Sequence, residues 1–214
     1  MPAATTSTNP AHERGFYVVK NSWIVFSVYN SGVTESSFLN PARALHAAKL
    51  HEGLRVADFG AGSGFFTRAA ARLVGPQGLV WAVDVHQDLL PRLKNLALQE
   101  GLHDVEVING DVEKLKGSRL PADNFDLVII SNLLFGAEHK DAVAKEAHRV
   151  LRKTGRVLCI DWAGSFGGLG PEEGAVVSAD HARTLFELNG FNYVEEVPAG
   201  AYHWGMLLRK RREQ

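Results

Sequence analysis

Three glycines at alternate positions, Gly60, Gly62 and Gly64, follow Asp58 at the end of an apolar run from Leu54 to Phe59. Glycine lets a chain turn sharply with φ > 0 and brings backbone N–H groups close to a ligand with no Cβ in the way. An amphipathic pattern begins directly afterwards, with Phe66, Ala70, Leu73 and Val74 on one face, so the free N–H groups that open a helix point at the same space. A second apolar run, Leu79 to Val83, ends in Asp84. An acidic residue about 20 positions beyond a glycine loop is placed to accept hydrogen bonds from ribose hydroxyls.

The remaining candidates also sit where apolar runs stop. Asn109, Gly110 and Asp111 follow Val105 to Ile108, Ser131 and Asn132 follow Phe125 to Ile130, and Asp161 follows Arg156 to Ile160. Asp161 and Asn132 would offer a metal only one carboxylate, and the nine histidines show no ligand spacing, so no metal is expected. His46, His51, His103 and His148 read as solvated. Trp162, Tyr202, His203 and Trp204 are candidates to line a pocket, although strand alternation turns about half of such a set into the core. Arg209 to Arg212 reads as a solvated basic tail.

The elements that position these residues alternate. Asn40-Pro41 supplies an N-cap and a first-turn proline for a helix expected to end near Gly53. The helix after the glycine loop stops at Gly75-Pro76. The next carries Leu89, Leu93, Leu96 and Ala97 on one face, with Pro91 tolerated in its first turn. Another, with Val143, Ala147, Val150 and Leu151 inward, leads through a turn at Lys153-Thr154-Gly155 into the strand Arg156 to Ile160. Ser178 is placed to cap a helix with Ala182, Leu185 and Phe186 inward. Two closing strands, Phe191 to Val197 and Tyr202 to Leu208, are joined too tightly to be anything but antiparallel. The order predicts a three-layer α/β fold: a mostly parallel, seven-stranded sheet with one antiparallel strand near the C-terminus. Ligands of such sheets bind beyond the carboxyl ends of the strands, where the candidates lie.

With 214 residues, 45% of them apolar, the chain can bury one sizeable core. Residues 1–14 are small and polar and read as a disordered tail. Residues 15–39 are dense in aromatics, and Tyr29 and Phe38 are candidates to cover a bound ligand as a lid. Residues 40–214 carry the αβ alternation. A net charge of −1 argues against nucleic-acid binding through bulk electrostatics. No apolar run approaches the ~20 residues that span a bilayer, no signal-peptide pattern opens the chain, and the lone Cys159 lies in an apolar strand; a cytoplasmic protein is expected.

On these motifs the sequence resembles the class I S-adenosylmethionine-dependent methyltransferase family over roughly residues 40–209. Asp58, Gly60, Gly62 and Gly64 reproduce the family's acidic-Gly-x-Gly-x-Gly fingerprint, and Ala147 to Arg156 resembles its helix-to-strand pattern, with Thr154 where glycine or proline is common. The resemblance implies a Rossmann-like methyltransferase fold and S-adenosyl-L-methionine as cofactor, with S-adenosyl-L-homocysteine as product. Its loop (Asp58, Phe59, Gly60, Ala61, Gly62, Gly64) would hold the methionine end, Asp84 with Val85 the ribose, and Gly110, Asp111 and Val112 the adenine. Ser131 and Phe38 would complete the cofactor site. Ser131 and Asn132 would orient an acceptor, with Asp161 and His203 as candidates for proton removal. The acceptor expected is a small molecule; RNA or protein methylation and a nicotinamide oxidoreductase are alternatives. The last needs Gly-x-Gly-x-x-Gly, and Phe65 stands at its third glycine position.

Overall fold

The computed structural model describes the backbone of β1 (Arg14–Val19) and β2 (Ser22–Ser27), and all of residues 38–212. The two strands pair antiparallel, and β1 starts at Arg14, the last residue of the expected tail. Residues 1–13 and Tyr29 lie outside the described residues.

The seven-stranded sheet contains β3 (Arg55–Phe59), β4 (Leu79–Asp84), β5 (Val105–Asn109), β6 (Phe125–Ser131), β7 (Leu151–Trp162), β8 (Phe191–Glu196) and β9 (His203–Lys210). Their order across the sheet is β5-β4-β3-β6-β7-β9-β8, and β9 alone runs antiparallel to its neighbours. The chain winds outward from β3 to β5 and then returns to place β6 on the other side of β3. A crevice at the carboxyl ends of β3 and β6 follows from that reversal.

Two apolar clusters cover the two faces. One joins alternate residues such as Phe59, Val128, Ile130 and Cys159 to α4 (Lys140–Val150) and α5 (Ala179–Leu188). The other joins Val56, Ile129, Leu158 and Ile160 to α1 (Pro41–Ala47), α2 (Phe65–Val74) and α3 (Leu89–Gln99). The expected caps form: Asn40 accepts from Arg43 N at 3.0 Å and Ser178 from His181 N at 3.2 Å.

Several expectations needed correction. α1 ends at Ala47, six residues before Gly53, because the Arg156 guanidinium takes the Ala48 carbonyl at 2.7 Å and Lys49 turns left-handed (φ 59°). On α3 the inward set is Leu90, Leu93 and Ala97, while Leu89 and Leu96 are only half-buried. The turn at residues 153–155 lies inside β7 as an irregularity, with Leu151 opposite Phe125 and Arg156 opposite Leu127. The basic tail is partly structural: Lys210 Nζ donates to Leu151 O at 2.7 Å, and Arg211 Nη2 donates to Glu187 O and Phe191 O, both at 3.0 Å. His148 is half-buried and stands edge-on to Phe191 at 5.5 Å.

Phe186 and Phe191, both fully buried, meet edge-to-face at 5.5 Å and lock α5 to β8. Phe186→Ala should therefore lower the unfolding free energy by about 3–5 kcal/mol, the cost of a buried aromatic truncation, read from urea denaturation midpoints.

Candidate active site

β3 delivers the chain into the glycine loop. Gly60 and Gly64 are left-handed (φ 71° and 79°), and a Cβ on Gly60 would meet Leu133 Cδ1 at 2.9 Å. Gly64 sits against Leu93 of α3, where a Cβ would meet Leu93 Cγ at 2.6 Å. Gly60 N and Ala61 N both reach Val83 O, at 2.8 and 3.1 Å, so the loop folds back over the end of β4. Gly64 is the N-cap of α2 and offers no side-chain cap, which leaves the opening of that helix to other acceptors.

Asp84, at the end of β4, is buried, and its carboxylate braces the loop. Oδ2 accepts from Gly62 N at 2.8 Å, while Oδ1 accepts from His86 N at 2.8 Å and faces His86 Nδ1 at 3.0 Å. Each oxygen has two lone pairs, so this bracing leaves acceptor capacity for a ligand diol. Asp58 is also buried, points to the α2 side, and accepts from Thr67 Oγ1 at 2.5 Å. Burial pushes its carboxyl up to about 7 against the pull of the Thr67 hydroxyl, with the Asp84 charge adding to the rise.

The loop after β5 begins with Gly110, whose N–H reaches Asp84 O at 3.1 Å and whose missing Cβ would lie 2.8 Å from Gly117 O. Asp111 is partly exposed and accepts from Glu113 N at 3.0 Å and Lys114 Nζ at 2.8 Å; the bond to Lys114, set against slight burial, holds its carboxyl below the usual range. Val112 is buried, Val85 is exposed, and Phe59 turns into the core, so Phe59 offers only backbone to the crevice.

Beyond β6 and β7 the candidates separate. Asn132 is left-handed (φ 52°), its N–H bonds Ile160 O at 2.9 Å, and its buried Oδ1 finds no partner among the described residues. Ser131 precedes it, half-buried, opposite Ile160. Asp161 is fully buried: Oδ2 accepts from Leu134 N at 2.8 Å and Phe135 N at 3.3 Å, and Oδ1 from Trp162 N at 2.8 Å. Through these bonds it anchors the β6–α4 loop. Burial raises it to about 6, with those three N–H groups opposing the rise.

His203 pairs with Trp162 across β7 and β9, its ring 4.2 Å from the indole, on the face that carries Ile160 and Leu207. Both imidazole nitrogens are buried without partners among the described residues, and burial lowers its pKa to about 4. Tyr202 lies 5.8 Å from Phe38 and 5.1 Å from Phe166. Trp204 differs from its neighbours: it faces the opposite cluster and donates to Val177 O at 2.8 Å. Phe166 belongs to the glycine-rich segment 163–171, which closes on itself through reciprocal Phe166 and Leu169 hydrogen bonds. Sequence reading passed over Phe166, because nothing in its spacing signals a loop folded back onto Tyr202. It also missed Thr67, whose only signal is a polar residue on the inward face of α2. No cluster of three potential metal ligands occurs among the described residues.

A carboxyl whose folded pKa exceeds its unfolded value binds more protons when folded, so stability falls as pH rises between the two values. Asp58, raised from 3.8 to about 7, therefore costs stability progressively from pH 4 to 7. Asp58→Asn removes that titration. Urea midpoints at pH 5 and pH 8 should lie closer together in the variant than in the wild type.

The fold recurs in known proteins. Residues 50–194 match the model of a family described as a methyltransferase domain. The ubiquinone/menaquinone biosynthesis C-methyltransferase UbiE of Burkholderia vietnamiensis is 34% identical over 116 residues, which cover 54% of this chain and 46% of the relative. The chain thus matches about half the length of such relatives. A SAM-dependent methyltransferase from Aquifex aeolicus superposes with a TM-score of 0.74 at 25% identity, covering 81% of this chain and 91% of that one. The [4+2]-cyclase SpnF shares the fold at a TM-score of 0.66 and 17% identity, covering 81% of each chain. The glycine loop braced by a strand-end carboxylate, the strand order and the family match place this chain in the class I S-adenosylmethionine-dependent methyltransferase family.

Proposed function

We propose that this chain transfers the methyl group of S-adenosylmethionine to a small, uncharged acceptor held beyond the carboxyl ends of β6 and β7. The observation that carries the reading is the Asp84 carboxylate, tied to Gly62 N at 2.8 Å and so fixed beside the glycine loop with acceptor capacity to spare. Asp84 would hold the ribose hydroxyls, the loop from Gly60 to Gly64 and Asp58 the methionine end, and Asp111 with Val112 the adenine. The cradle suits such a ligand: glycines stand where Cβ atoms would collide, and the N-terminus of α2 carries no side-chain cap of its own. Membership of the methyltransferase family sets aside the nicotinamide alternative.

The bound sulfonium supplies an electrophilic methyl group, and positioning of the reacting atoms can contribute ~7–11 kcal/mol of the barrier reduction. The residues around the acceptor would orient rather than ionise it. Ser131 and Asn132 offer neutral hydrogen-bonding groups, and His203, with a pKa of about 4, is an uncharged imidazole at neutral pH. A base serves best with a pKa near the working pH, so His203 suits binding an acceptor hydroxyl better than keeping its proton. Phe38, Phe166, Tyr202 and the stacked Trp162–His203 pair favour a ring-bearing acceptor. Methylation at carbon accords with the name of the UbiE relatives. No described helix is long and apolar enough to cross a membrane, and the buried lone Cys159 accords with work in the cytoplasm. A near-neutral charge favours a small molecule over RNA.

Calorimetry with S-adenosylhomocysteine tests the reading. Asp84→Ala should weaken binding by about 1.5–3 kcal/mol, the scale of hydrogen bonds to a charged group. Stabilisation in a thermal-shift panel by a nicotinamide cofactor and not by S-adenosylhomocysteine would overturn it. With an acceptor in hand, His203→Gln should retain turnover to within about tenfold and keep both limbs of the pH profile, whereas loss of one limb would make His203 a general base.

A further inference from the structure

The segment that follows β5, residues 110–120, has no helix or strand of its own, yet two of its non-glycine residues, Lys116 and Arg119, are left-handed (φ 64° and 59°). Such conformations persist only where the surroundings hold them. Here the holder is a carboxylate from another element. Glu146, in the last turns of α4, is fully buried, and Lys116 N donates to its Oε2 at 2.7 Å and Ser118 N to its Oε1 at 3.3 Å. The Ser118 hydroxyl also donates to Oε1.

Arg149, one turn further along α4, completes the network. Its Nε and Nη2 reach the two Glu146 oxygens at 2.8 and 2.7 Å, and Nη2 also reaches Leu120 O at 2.8 Å. Leu120 N closes back on Ser118 Oγ at 3.2 Å. The grip passes on to the front of the loop: Gly117 O, between the two residues that Glu146 holds, accepts from Asp111 N at 2.9 Å. A Cβ on Gly117 would come within 2.2 Å of Asp111 O, so the two strands of the loop are in direct backbone contact. A second tie runs from the start of α4, where His139 N donates to Glu113 Oε2 at 2.6 Å.

A buried carboxylate costs much desolvation unless fully paired, and an apolar side chain would fill this position against the core more cheaply. What an apolar side chain lacks is the ability to gather two loop N–H groups, a hydroxyl and a guanidinium at one point. We infer that Glu146 is a positioning residue for the cofactor: by fixing residues 116–118 it holds Asp111 and Val112 in the arrangement that reads the adenine ring, without touching the ligand. This rests on the assignment of S-adenosylmethionine to the crevice.

Calorimetry on the full chain, with S-adenosylhomocysteine and S-inosylhomocysteine as probes, tests it. The two differ only along one edge of the purine, where the adenine amino group is replaced by a carbonyl and N1 turns from acceptor to N–H donor. Wild-type protein should prefer the adenosyl compound. Glu146→Gln should weaken S-adenosylhomocysteine about tenfold, or about 1.4 kcal/mol, leave S-inosylhomocysteine nearly unchanged, and so erase the preference; in turnover, KM for the cofactor rises while kcat holds. Ser118→Ala, a milder cut in the same network, should move both readouts in the same direction and decides the matter if the Glu146 variant does not fold. Equal weakening of both probes, or an unchanged preference in a folded variant, would overturn the inference and leave Glu146 a purely structural residue. Failure of wild-type protein to bind S-adenosylhomocysteine would instead overturn the cofactor assignment, and the inference with it.

Discussion

Backbone N–H groups that leave a parallel sheet at its carboxyl edge lose their ladder partners, and burying them unpaired is costly. In this protein buried carboxylates meet that constraint. Asp84 collects Gly62 N and His86 N, Asp161 collects Leu134 N, Phe135 N and Trp162 N, and Glu146 collects Lys116 N and Ser118 N. Each of the three loops around the crevice is thereby pinned by an acid from a neighbouring element.

Those supports carry an electrostatic cost. Asp58 and Asp161 are pushed up to about 7 and 6, chiefly by burial, so ionising either carboxyl carries a desolvation cost. Groups of this kind cluster where a fold sacrifices stability for function. Asp58 stands on the side of the glycine loop, where a cationic ligand group would relieve the penalty. At Asp161 three N–H donors oppose the rise without cancelling it.

The proposed acceptor side has the opposite character. Among the described residues it offers aromatic rings, a neutral imidazole and an unpartnered amide oxygen. On that proposal, a carboxylate-rich half for the cofactor and an uncharged half for the acceptor would suit methyl transfer, in which the electrophile arrives charged and the protein mainly holds two reactants in line. The same fold on a [4+2]-cyclase shows that such an architecture does not dictate the reaction.

Local chemistry was legible in the sequence. Period-2 and period-3.6 apolar patterns located all seven strands of the main sheet and the helices between them, and caps such as Asn40 and Ser178 act where their side chains reach only three residues ahead. The glycine loop and Asp84 were legible for the same reason, since a turn and a strand end are properties of short segments. What each polar side chain does once there was decided by contacts between residues far apart in the chain. Asp161 Oδ2 accepts from Leu134 N and Phe135 N; His203 is buried against Trp162, which lowers its pKa to about 4; and Glu146, on a helix face that reads as any amphipathic surface, anchors a loop 28 to 30 residues earlier. Sequence by itself determined where strands end and which residues gather there. Tertiary structure alone decided which of those residues are spent on holding backbone and which remain free for chemistry, because desolvation and hydrogen-bond competition depend on neighbours that chain order does not specify.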